Sequence, residues 1–172
     1  MGAAAAAVLG SGCGSAAKTT SATTTAAPGV TIPHVPERDR FIGRLQRGTG
    51  SLAGASDAVE ARLQAPGSIG TRRLTLWVLT TGCPAAAACV HLGGSLRGRL
   101  TPVRALPDIG RRYAIEASGS LGAVGVMAAA GTVAGTGNIN SGFELLQLRL
   151  TGRRGSVRLS ARSSRVPPFT SP

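Results

Sequence analysis

In "RRLTLWVL" apolar residues occupy every second position, at Leu74, Leu76 and Val78, and the same beat returns along the chain. "LLQLRLT" sets Leu146, Leu148 and Leu150 on one face, "GSVRLSAR" sets Val157, Leu159 and Ala161, and "RYAIEAS" sets Tyr113, Ile115 and Ala117. Successive side chains of a strand point to opposite sides, so a strand with one face on a core and the other in water must alternate in this way. "HLGGSLRGRLT" repeats the pattern around Gly94 and Gly98, and Phe41 to Gln46, Val124 to Ala128 and Thr132 to Gly135 are weaker candidates. About eight or nine short strands at this spacing predict an all-β, antiparallel barrel or sandwich. "TGRRGS", Thr151 to Ser156, has the glycines of a hairpin turn. One segment is two-sided. In "SDAVEARLQ", Ser56 to Gln64, Ser56 can cap a helix whose first turn favours Asp57 and Glu60. The same residues alternate as a strand, with Val59, Ala61 and Leu63 on one face, and the strand is preferred.

The chain has 172 residues, enough for one domain with a modest core. Its aromatics are Phe41, Trp77, Tyr113, Phe143 and Phe169, so buried area must come from Leu, Val and Ile. Twenty-five glycines and ten prolines suit short strands joined by turns better than long helices.

Residues 1–36 differ from the rest. Ala3 to Leu9 is a small apolar run, "GSGCGS" surrounds Cys13 with small residues, and Ser15 to Pro36 is a Ser/Thr/Ala/Pro tether. This is the layout of a bacterial lipoprotein export signal with Cys13 as the lipidation site, followed by a disordered segment; the alternative is a plain disordered tail. The apolar run is too short to span a bilayer. Cys83 and Cys89 flank a proline-containing loop and are expected to pair as a disulfide, which leaves Cys13 as the odd cysteine and agrees with an extracytoplasmic location. Two unrelated buried thiols are the alternative. Zinc is not expected, since no Cys-x2-Cys occurs and His34 and His91 are far apart in sequence. The domain boundaries expected are therefore 1–36 for signal and tether and 37–172 for the barrel.

Net charge is +12, with 18 arginines against Lys18 alone. The bland explanation of that skew is a GC-rich genome, which supplies Ala, Gly and Arg codons together. Its physical consequence is attraction to polyanions: nucleic acid, acidic envelope polymer or an anionic membrane surface. Arg149, Arg153, Arg154, Arg158, Arg162 and Arg165 lie in the last stretch of the chain with no acid among them. On the strand reading Arg158 and Arg162 point away from Val157, Leu159 and Ala161, as a positive outward row. Arg149, Arg153, Arg154, Arg158 and Arg162 are the candidate anion-binding residues. The competing reading is a solvated charge row that guards a strand edge. Stacking aromatics for nucleic acid are missing nearby except Phe169.

"RGTGSLAGAS", Arg47 to Ser56, looks like a phosphate loop. Its glycines, Gly48, Gly50 and Gly54, are spaced one residue too widely for a dinucleotide fingerprint, the preceding strand carries Arg44 and Arg47, and no Gly-Lys-Ser/Thr follows. Similar glycine-rich text at Gly119 to Gly125 and Gly131 to Gly142 argues that these glycines serve turns and tightly coiled strands. Of the seven acids only Glu37/Asp39 and Asp57/Glu60 lie close in sequence, no Gly-x-Ser-x-Gly elbow occurs, and His91 is the one histidine in the barrel segment. Neither a catalytic set nor a cofactor is expected.

Residues 91 to 172 resemble a group of secreted bacterial β-proteins through "HLGGSLRGRLTP", "PDIGRRYAIEASGSLGAVG", "VAGTGNINSG", "LRLTGRRGSVRLSARSS" and "VPPF". "GTGSLAGAS" is similar to the Gly-Thr-Gly-aromatic-x-x-Ala turn of allene oxide cyclase and dirigent-type barrels, with Leu52 in the aromatic's place. The resemblance implies an eight-stranded antiparallel barrel with an apolar interior, and no catalytic residue carries over. In the relatives this turn tends to follow the "GSVRLS" and "PPF" elements, whereas here it precedes them. That order implies a permuted barrel or closure by another route, such as a partner chain in a homo-oligomer. The function expected is an exported, non-catalytic binding or structural module. Polyanion binding and a carrier or enzyme for a small apolar ligand are the alternatives.

Overall fold

A computed structural model describes residues 34–35, 39–67, 70–83, 89–103, 111–135 and 142–165. Eight strands follow one another: β1 (Arg40–Gln46), β2 (Ala58–Gln64), β3 (Arg72–Gly82), β4 (Gly93–Pro102), β5 (Arg111–Ser120), β6 (Val126–Gly135), β7 (Leu145–Gly152) and β8 (Gly155–Ser163). Each pairs antiparallel with the next, and β8 pairs antiparallel with β1, from Phe41 opposite Ser163 to Gln46 opposite Arg158. The sheet is a closed barrel within one chain, so no second chain is needed to complete it. Closure also removes the edge that the arginines of β8 were expected to guard, because β8 is paired on both sides.

Alternation becomes burial along every wall. Val59, Ala61 and Leu63 of β2 point inward, which settles Ser56 to Gln64 as loop and strand, and Leu74, Leu76, Val78, Leu146, Leu148, Leu150, Val157, Leu159 and Ala161 join the lumen cluster. Leu45, Leu76, Leu96, Leu100, Met127, Leu146 and Leu150 have no accessible surface at all, so no water-sized space touches them from outside or from within. The middle of the lumen is packed with side chains, as expected for eight strands. Each fully buried leucine contributes about 1.5–3 kcal/mol through area removed from water. Exposed arginines stand on the outer wall, among them Arg44, Arg97, Arg112, Arg149 and Arg158. This polarity is the reverse of a lipid-embedded barrel.

The two weak candidates at Val124 to Ala128 and Thr132 to Gly135 prove to be one strand, β6, with Val124 in the preceding 3-10 turn Gly122–Val124. The reason is Gly131. It faces inward in mid-strand, where an added Cβ would lie 2.0 Å from the Gln147 carbonyl oxygen on β7. Here glycine permits close strand approach and does not interrupt the strand.

Connections close the barrel ends. At one end Leu52, Ala55, Val90, Leu92, Leu121 and Val124 fold in from the β1–β2, β3–β4 and β5–β6 connections. At the other, Tyr113 meets Phe143 edge to face at 5.6 Å, with the Arg72 guanidinium 5.0 Å from the Tyr113 ring centre. Val35, inside the expected tether, is buried as well, and so is Leu79, which points outward from β3; neither belongs to the lumen cluster.

Candidate functional site

The glycine loop joins β1 to β2 and rides on the β7–β8 hairpin. Thr49 N–H donates to the Ser156 carbonyl at 2.8 Å and Ser51 N–H to the Arg154 carbonyl at 2.8 Å. Thr49 Oγ1 accepts from Ser156 N–H at 3.0 Å and lies 3.0 Å from Ser156 Oγ, while Ser51 Oγ donates to the Arg154 carbonyl at 3.0 Å. Leu52, Ala53 and Ala55 N–H groups are spent within the loop itself. Five of the loop's backbone donors, at Thr49, Ser51, Leu52, Ala53 and Ala55, therefore already serve the protein. Gly50, at φ +64°, has the Arg154 carbonyl oxygen 2.4 Å from where a Cβ would stand, and Gly155, at φ +133°, has the Thr49 carbonyl oxygen at 1.9 Å. These glycines let two backbones meet, and the stretch is an architectural clamp.

The acids are engaged separately. Glu60, on the outer wall of β2, is buried and accepts hydrogen bonds from Arg40 at 3.0 Å and Arg62 at 2.5 Å. Burial alone pushes this carboxyl up, but the two arginine hydrogen bonds and their charges outweigh it and hold Glu60 below its ordinary value. Asp57 is buried at the entrance to β2, where its Oδ2 accepts the Val90 N–H at 3.1 Å. Although near neighbours in sequence, the two carboxylates have different partners. His91 is exposed on the β3–β4 connection.

What the fold does assemble is an arginine groove on the outer wall. Arg149 of β7 lies directly opposite Arg158 of β8, which in turn lies opposite Gln46 of β1. Arg47 follows Gln46 and sits at φ +52°, a conformation uncommon for a side chain of its size and costing about 1–3 kcal/mol. Together Arg47, Arg149 and Arg158 line a groove of about 440 Å³ with Gln46, Gln147 and Ser160. Toward β6 its lining is completed by Ala130, Thr132 and the backbone of Gly131. Among the described residues no carboxylate lines it.

The contrast with the opposite wall is informative. There Arg73 faces Arg99, but Glu116 on β5 lies 3.9 Å from Arg99 and shares the charge. Like charges facing each other across a ladder are unfavourable, by roughly 0.2–1 kcal/mol. At Arg149 and Arg158 the next residues across the ladder are Ala130 and Gln46, which offer no counter-charge.

Of the five arginines singled out in the sequence, Arg149 and Arg158 come together. Arg153 and Arg154 occupy the exposed tip of the β7–β8 hairpin, where Arg154 supplies the carbonyl held by the glycine clamp. Arg162 points outward too, but opposite Leu145 and Ile42, beyond the groove lining. Sequence reading passed over Gln46, Arg47, Thr132, Gln147 and Ser160 as site residues. The outward phase of each strand was visible, whereas the adjacency of β1 to β8 exists only once the ring has closed.

Cys83 and Cys89 lie at disulfide distance, with sulfurs 2.03 Å apart. Such bonds persist in oxidising compartments. Cys13 and residues 84–88 lie outside the described residues. Among known proteins, no family model, no curated protein and no solved structure matches this chain.

Proposed function

We propose that this protein is an exported, non-catalytic β-barrel module that binds polyanions along the outer face of β6, β7, β8 and β1. The observation that carries the reading is the pair Arg149 and Arg158, held opposite each other beside Arg47 in a groove that no carboxylate lines among the described residues. A bound phosphate, sulfate or carboxylate would turn an unfavourable pair into a shared binding site, and arginine suits it through its planar, bidentate geometry. The packed lumen supports a surface-binding module over a carrier of apolar ligands.

Export is supported by the cysteine pair at Cys83 and Cys89 and by the signal-like layout around Cys13, whose lipid would bring the basic barrel to a membrane or envelope surface. The join of β8 to β1 sets the Gly-Thr-Gly turn beside the "GSVRLS" strand, which supports a permuted allene oxide cyclase or dirigent-type barrel.

Heparin chromatography tests the binding face. R149Q/R158Q is expected to elute at clearly lower salt. On a polyphosphate the slope of log affinity against log salt should fall by about 0.7–0.9 for each phosphate that the variant no longer neutralises. R73Q/R97Q removes the same charge from the opposite wall and serves as the control. Equal retention of the two double variants refutes the assignment of the groove. Fractionation of the native host tests export, and protein found soluble in the cytoplasm refutes it.

A further inference from the structure

Beneath the β3–β4 connection lies a cluster that shares no residue with the arginine groove. The Asp57 carboxylate and the sulfurs of Cys83 and Cys89 all lie within 4.8 Å of one another. Asp57 has no exposed surface; Oδ2 accepts the Val90 N–H, and Oδ1 has no hydrogen-bond partner. A buried acceptor without a donor is costly. A disulfide carries no proton, so the cysteine pair in its oxidised form leaves Oδ1 as it is. Both cysteines are exposed residues.

The geometry points to a divalent-metal site of Asp57, Cys83 and Cys89 that forms when the disulfide is opened, with zinc or another thiolate-seeking ion as ligand. A dithiol reductant passes two electrons and two protons to the Cys83–Cys89 bond, which becomes two thiols, while the reductant itself becomes a disulfide. The cation then displaces both thiol protons to solvent and is held by two thiolate sulfurs and Asp57 Oδ1. Metal–sulfur bonds of about 2.3 Å at a tetrahedral angle place the sulfurs about 3.8 Å apart. The Cα atoms are 5.5 Å apart, a spacing that side-chain rotation can convert from disulfide to chelate. Val90 pins the carboxylate through Oδ2 and leaves Oδ1 for the ion, as outer partners of metal ligands do. Disulfide and metal are mutually exclusive, so occupancy follows the redox state of the surroundings.

The test uses the full chain carrying Cys13→Ala, reduced with dithiothreitol, desalted without oxygen and titrated with Co²⁺. One equivalent is expected to bind with a thiolate-to-cobalt charge-transfer band, and the oxidised protein and C83S/C89S are expected to show none. D57N retains an acceptor for Val90 and loses the anionic ligand; its affinity is expected to fall at least tenfold. In the parent, one equivalent of Zn²⁺ is expected to slow alkylation of Cys83 and Cys89 at least tenfold, a readout that needs no variant at Asp57. Absence of the band in reduced protein, D57N affinity within twofold of the parent, or alkylation unaffected by zinc overturns the proposal.

Discussion

Glu60→Gln probes whether a buried acid on the outside of the barrel is a structural element. The Glu60 side chain is 5% exposed, while those of its partners Arg40 and Arg62 are 31% and 21% exposed. Breaking a fully buried ion pair costs about 3–5 kcal/mol. Here glutamine keeps the shape and one acceptor oxygen, and both arginines retain partial access to water, so the expected loss is about 2 kcal/mol, in the range of a hydrogen bond to a charged group. For a barrel of roughly 130 residues the unfolding entropy is about 0.27 kcal/mol/K, and the midpoint should drop by about 7 °C.

The pH dependence supplies a sharper check. In the fold the Glu60 carboxyl is held below its ordinary value of 4.5. Its contribution is therefore complete above that pH and is lost as pH falls through the lowered value. E60Q has no such contribution to lose. Thermal melts of both proteins from pH 7 to pH 3 should show the gap at full size near neutrality and narrowing below about 4.5. A gap under about 0.5 kcal/mol at pH 7, or one of constant size down to pH 3, refutes the reasoning.

Leu96→Ala removes a side chain with no exposed surface from the lumen and should cost about 2–5 kcal/mol in urea unfolding; a smaller loss would mean that the lumen relaxes around the gap. Gly50→Ala sets a Cβ against the Arg154 carbonyl at a positive φ and should cost about 1–3 kcal/mol by thermal melt, more than Gly54→Ala, where no atom lies within 4 Å. Arg158→Gln relieves the pair with Arg149, so stability should hold or rise by about 0.2–1 kcal/mol while heparin retention falls. Stability and retention falling together would instead mark Arg158 as structural.

Much of the architecture was legible before any coordinates. Leu74, Leu76 and Val78, or Leu146, Leu148 and Leu150, announce their inward phase because a pleated backbone sends alternate side chains to opposite sides, and one solvent is water. Gly131 was less legible. A glycine in mid-strand looks like a break when only its own strand is visible, and its role depends on the Gln147 carbonyl of a neighbour. The spacing of the glycine loop argued against a phosphate loop, but its task in the fold, gripping Arg154 and Ser156, involves residues more than a hundred positions away.

Amino-acid order alone determined the inward and outward phase of β3, β5, β7 and β8 and the acid-poor run of arginines, since both follow from local covalent geometry and side-chain chemistry. Tertiary structure decided which strands became neighbours. Only closure of β8 onto β1 brings Gln46 and Arg47 beside Arg158, and only the fold of the β3–β4 connection over β2 sets Cys83 and Cys89 against Asp57. Those adjacencies depend on twist and ring closure summed over the whole sheet, a property that no short window of sequence contains.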